Sequence, residues 1–106
     1  MSDLIEQLLE GKLSEDKINF FSYHFQDRLR DNKLDLDYVK NQILHEKPIS
    51  NHPSKSHEDR YEFLYKAPSK KKNYNHIKVI LEECEDHISV VSVMDHGRDP
   101  KYNWHK

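Results

Sequence analysis

Two pairs of residues in this 106-residue chain have types and spacing suited to acid–base chemistry on a phosphate: His24 with Arg28, and His76 with Lys78. An imidazole titrates near neutrality, so it can take or give a proton at physiological pH. Lysine and arginine supply a fixed positive charge. Phosphodiester cleavage without a metal needs this combination: one group moves the 2′-hydroxyl proton, another protonates the leaving oxygen, and a cation stabilises the charged phosphorane. His24 and Arg28 are four residues apart, hence neighbours on one helix face. They could bind phosphate or act as an acid/base pair. On spacing alone a polar helix edge is preferred, because any helix offers such pairs. His76 and Lys78 are two apart in an alternating stretch and share one strand face. Arg60 and Lys66 of the preceding stretch can join that face. His96, Arg98, Tyr102 and His105 follow near the chain's end and converge with the others only if the tail folds back over a sheet, a turn that Pro100 and Trp104 suit.

Lys70, Lys71 and Lys72 with Tyr74 form a compact basic and aromatic cluster, in which lysines can neutralise phosphates and the phenol can stack on an exposed base. A solvated hairpin tip has the same composition. The eight histidines include no pair in a recognised metal-ligand spacing, so neither a metal nor another cofactor is expected. The two glycines are too far apart for a phosphate-cradling loop. Cys84 lies among Glu82, Glu83 and Glu85, a setting that raises a thiol pKa and disfavours a nucleophilic thiolate.

The elements that must position these groups follow from periodicity. The run from His87 to Met94 is the chain's densest β-branched stretch and is stopped by Gly97 and Asp99-Pro100, which reads as a strand. Val91 and Val93 point one way and Ile88, Val90 and Met94 the other, so the strand is expected at 87–95, inside the sheet. Ahead of it, Leu4, Ile5, Leu8 and Leu9 mark a short helix that Ser2 can cap and Gly11 can stop. It is too short to stand alone, and docking on the rest is preferred over docking on a partner. A second helix is expected from about Ser14 to Arg30, with Ile18, Phe21, Phe25 and Leu29 inward. Asp35 can cap a third from Leu36 to about His45, which Pro48 ends. The stretch 50–58 has no apolar residue and reads as loop. Alternation from Arg60 and again from Tyr74 to about Cys84 gives two more strands and an antiparallel meander.

The expected class is therefore α+β: two to three N-terminal helices on one face of a three- to four-stranded, mainly antiparallel sheet. The chain reads as one domain, with an accessory helix at 1–13, a helical part at 14–46, the sheet at 59–96 and a tail at 97–106. The expected core holds Phe21, Phe25, Leu29, Val39, Ile43, Phe63, Val79, Leu81, Val91 and Val93. A net charge of −2 gives no global nucleic-acid signature, so any basic surface must be local. The lone cysteine, the acidic N-terminus and the absence of a long apolar run point to a soluble cytoplasmic protein with no membrane association.

The segment Phe21-Ser22-Tyr23-His24-Phe25-Gln26-Asp27-Arg28 resembles the opening His-x-x-x-Arg helix of a family of small prokaryotic proteins grouped with RelE-like and BrnT-like toxins. The third helix after Leu34, the hairpin with alternating aromatics, and Val91-Ser92-Val93-Met94 before Asp99-Pro100-Lys101 and Trp104 fit the same pattern, over roughly residues 20–104. The resemblance implies a compact RelE-like fold and an RNA-cleaving toxin acting on free or ribosome-bound mRNA and neutralised by an antitoxin protein. By position, His24 and Arg28 match the helix pair, and Arg98 and Tyr102 the tail arginine and its aromatic or acid/base partner. The chain departs from the pattern in Asp95-His96-Gly97-Arg98, which lengthens the approach to Asp99-Pro100, and in the added residues 1–13. The expected catalytic set is His24, Arg28, His76, Lys78, Arg98 and Tyr102, with RNA held by Arg60, Lys70, Lys71, Lys72 and Tyr74. The alternative is a non-catalytic protein- or RNA-binding module; self-association is left open in both.

Overall fold

A computed structural model describes residues 3–54, 58–68 and 74–98, for Asp3, Tyr74, Asn75, Gly97 and Arg98 only as backbone. The chain runs α1 (Asp3–Leu9), a 3-10 turn (Glu15–Lys17), β1 (Ile18–Asn19), α2 (Tyr23–Asp31), α3 (Leu36–His45), β2 (Ser50–Pro53), β3 (Arg60–Lys66), β4 (Tyr74–Glu83) and β5 (Ile88–Arg98). The five strands form one sheet in the order β1-β5-β4-β3-β2. β1 runs parallel to β5, and the remaining pairs are antiparallel. The class is α+β as expected, with a larger, mixed sheet. β5 is an inner strand, flanked by β1 and β4.

The expected helix over 14–30 is corrected. Ile18 and Phe20 are buried and the intervening Asn19 is not, the period of two of extended chain. Asn19 Oδ1 accepts the Phe21 N–H, and Ser22 Oγ accepts the Phe25 N–H as the N-cap of α2. The helix therefore starts only after Ser22. That leaves Phe21 79% exposed, outside the core expected to hold it, and Phe20 takes the buried position.

α3 follows its cap: Asp35 accepts the Tyr38 N–H at 3.1 Å, and Val39 and Ile43 are buried. α1 docks through Ile5 and Leu8, both fully buried. Gly11 ends it with φ 71°, and the bonds Lys12 N to Gln7 O and Gly11 N to Leu8 O make a Schellman turn. A Cβ at Gly11 would sit 3.1 Å from the His45 carbonyl oxygen, so glycine also permits the close approach of α1 to the end of α3.

Two further corrections concern the sheet. Ser50–Pro53, read as loop, is the outer strand β2, paired with β3 from Ser50↔Leu64 to Pro53↔Tyr61. All four residues are exposed, so burial left no apolar signature, and proline is tolerated on an edge. In β5 the pairing shifts between Ile80↔Ser92 and Leu81↔Val90. Val91 is the extra residue of this bulge. Ile88, Val90 and Val93 consequently all enter the core while Val91 is only half-buried, whereas strict alternation had set Val91 with Val93 and against Val90.

α2 satisfies the part of β5 that short β1 leaves unpaired. Ser22 Oγ donates to the Val90 carbonyl, Asn32 Nδ2 donates to the Val93 carbonyl at 3.2 Å, and Asn32 Oδ1 accepts the Asp95 N–H. Phe25 and Leu29 meanwhile join the core cluster with Phe63, Val79, Leu81, Val90 and Val93.

Candidate active site on the sheet face turned from the helices

Residues paired across strands share a face, and alternate residues along a strand face opposite ways. Because Phe63, Val79 and Val93 point into the core, Glu62, Leu64 and Lys66 of β3, His76, Lys78 and Ile80 of β4, and Ser92, Met94 and His96 of β5 point the other way. β2 adds His52, whose partner is Glu62. The expectation that Lys66 joins His76 and Lys78 is thus met: Lys66 and His76 are direct partners.

Ser50, His52, Glu62, Leu64, Lys78 and His96 of this face, with the core-facing Phe63 between two of them in β3, line a cavity of about 210 Å³. Glu62 organises it. Its Oε1 lies 3.1 Å from His52 Nε2 and 3.6 Å from Lys78 Nζ. Holding an imidazole and an ammonium on one carboxylate fixes both side chains at the rim. His96 is placed by β5, one step across from His76. Burial, then the nearby Lys78 ammonium and His76 ring, push the His96 pKa down. Burial also lowers that of His76, whose Nδ1 is buried without a hydrogen-bond partner among the described residues. The cavity therefore combines one imidazole held toward the neutral form, His96, a second tied to a carboxylate, His52, and a fixed ammonium, Lys78, while His76 stands just outside it.

The other expected site residues lie elsewhere. His24 is exposed on α2, and Arg28 pairs with Asp31 on its own helix at 3.5 Å; neither lines the cavity. Arg60 donates to Glu82 at 2.9 Å, which occupies the cation meant for RNA. The Tyr74 and Arg98 backbones are partners at the far end of the β4/β5 ladder. Lys70, Lys71, Lys72 and Tyr102, like His105 and Trp104, fall outside the described residues.

Sequence reasoning missed Glu62 and His52. Glu62 stood in plain view in the alternation Arg60-Glu62-Leu64-Lys66, where its face also carries Lys78. His52 gave no signal, because β2 has no apolar residue to mark its register. His96, expected with the tail, is a strand residue because β5 goes on pairing with β4 through His76↔His96 to Tyr74↔Arg98. Cys84 conforms to expectation: burial and then Glu82 push its thiol up. Among the described residues no group of three or more His, Cys, Asp or Glu could hold a metal ion, and no helix is long and apolar enough to cross a membrane. No protein-family model, curated protein or solved structure matches the chain.

Proposed function

We propose that this protein is an endoribonuclease whose acid–base work is done by side chains alone, and that it serves as the toxin of a toxin–antitoxin pair with a RelE-like arrangement. The observation that supports the chemistry is the convergence of His52, Glu62, Lys78 and His96 on one small cavity. In the reaction His96, kept neutral by burial and by Lys78, takes the 2′-hydroxyl proton. The 2′-oxygen attacks phosphorus, Lys78 stabilises the phosphorane oxygens, and the bond to the 5′-oxygen breaks. His52, hydrogen-bonded to Glu62 Oε1, acts as the general acid and gives the leaving oxygen its proton. The products are a 2′,3′-cyclic phosphate and a 5′-hydroxyl, so neither water nor an external cofactor enters this step. The toxin assignment rests on the sequence resemblance, and its partners are RNA, free or on the ribosome, and an antitoxin protein in the cytoplasm.

Induced expression in a bacterial host tests the biological half. Growth arrest with cleaved transcripts is expected, abolished by His96→Ala. Normal growth with intact RNA, despite folded expression, would transfer the chain to the second reading.

That second reading is a non-catalytic binding module. Phe21 and Tyr23 favour it, being 79% and 90% exposed on either side of the α2 N-cap Ser22. The leucine-rich α1 does not, since Ile5 and Leu8 are spent on the core. Phe21→Ser with Tyr23→Ser separates the two: it leaves RNA cleavage intact in the first reading and removes the protein's main contact in the second.

A further inference from the structure

The cavity, at about 210 Å³, is below the usual range of ligand pockets and has room for little more than one phosphate and part of its sugar. A longer ligand must continue across the face, and its charges show in which direction. Away from Lys78 on one side, the face passes Ile80 and Ser92 to Arg60, already committed to Glu82 at 2.9 Å. On the other side, two residues along β4 and so about 7 Å away, stands a row of direct partners: Lys66 of β3, His76 of β4 and His96 of β5. Lys66 is exposed. His76 beside it is half-buried; its Nδ1 is enclosed, so the ring would meet a phosphate through Nε2. The row contains no carboxylate; Glu62, the nearest on this face, is engaged by His52 and Lys78.

We propose that Lys66 and His76 form a second phosphate subsite beside the cavity, so that the ligand of this face is a single-stranded polynucleotide with at least two successive phosphates. The proposal rests on the nuclease reading for the choice of ligand. One strand step of two residues is comparable with the distance between neighbouring phosphates in an extended single strand. A lysine neutralises one such phosphate as a point charge, while an imidazole N–H can donate to it. A duplex is ill suited, because its phosphates are held on a rigid helical backbone and cannot enter a cavity and lie along a sheet row together.

The test is fluorescence anisotropy with a labelled deoxyuridine hexanucleotide, which lacks the 2′-hydroxyl and cannot be cleaved by this route, beside a labelled deoxyuridine dinucleotide with a single phosphate. Lys66→Gln, at an exposed position, leaves the fold unchanged, and His76→Ala provides a second variant. Each is expected to weaken hexanucleotide binding several-fold and to leave the dinucleotide within twofold of wild type. Lys66→Gln should also reduce the slope of log affinity against log salt by about 0.7, the value for one phosphate contact on a single strand. Hexanucleotide binding at wild-type strength in both variants overturns the subsite. So does equal weakening of both probes, which would put the row on the cavity phosphate itself. Binding of polyglutamate in preference to the hexanucleotide also overturns it, making the row a surface for acidic protein. If the hexanucleotide binds as expected but the corresponding RNA is never cut, the subsite stands and the nuclease reading alone falls.

Discussion

His96 and Lys78 form a coupled pair, and their coupling has a sign that can be measured. The base must be neutral to work, and burial with the adjacent ammonium holds the His96 pKa below the ordinary imidazole value. The acid limb of the kcat/KM profile should therefore lie below about pH 6.5. Lys78→Ala should lower kcat/KM and shift that limb toward higher pH; a limb that stays in place would remove Lys78 from the account. The same depression bears on stability. His76 and His96 both take up protons more readily when unfolded, so the stability is fully present above about pH 6.5 and is lost as pH falls through the folded values. Thermal melts from pH 7.5 to 5 should show a falling Tm that is flatter in a His76→Asn, His96→Asn variant. Parallel curves would contradict this. Lys33 offers a separate residue-scale test. It ends α2 with φ 55°, and the bonds Leu34 N to Leu29 O and Lys33 N to Arg30 O make it the left-handed residue of a Schellman turn. A side chain there costs about 1 kcal/mol, so Lys33→Gly should raise stability by up to about that amount in a urea titration.

α2 links the two layers more tightly than its nine residues suggest. Asn32 alone makes contacts to the Arg28 and Val93 carbonyls and to the Asp95 N–H, replacing the neighbouring strand that β1 is too short to provide. Asn32→Ala should destabilise by about 1–3 kcal/mol, the cost of leaving such groups unsatisfied. It should also speed amide exchange at Asp95; exchange as slow as in the wild type would mean another group covers that edge. Phe25→Ala, in contrast, empties a fully buried site and should cost about 3–5 kcal/mol. Such elements were legible to different degrees. The cap at Asp35, the stop at Gly11 and the alternation of β3 and β4 are local signals and hold. Residues 14–22 misled because Ile18, Phe21, Phe25 and Leu29 fit a helical stripe, while the decisive signals were the Ser22 cap and the Ile18/Phe20 alternation. β2 and the bulge at Val91 were invisible for another reason: each depends on what lies across the ladder, which no window of the chain records.

At the scale of the molecule, the fold sorts the chain's polar chemistry by face. The helices and one sheet face enclose the apolar core, and the opposite face gathers His52, Glu62, Lys66, His76, Lys78 and His96 from four strands. A net charge of −2 hides this local grouping, which is why composition gave no nucleic-acid signature. His76 and Lys78 were legible as a face from their spacing; their union with Glu62, His52 and His96 required the strand order. The most direct measurement is cleavage of a defined single-stranded RNA by the purified protein in excess EDTA, with the product ends identified by mass spectrometry. The wild type is expected to leave 2′,3′-cyclic phosphate ends, and His96→Ala to lose at least about 100-fold in rate at an unchanged melting temperature. Equal rates for the wild type and a folded His96→Ala protein, or no cleavage by the wild type either in EDTA or on ribosomes in magnesium buffer, would contradict this.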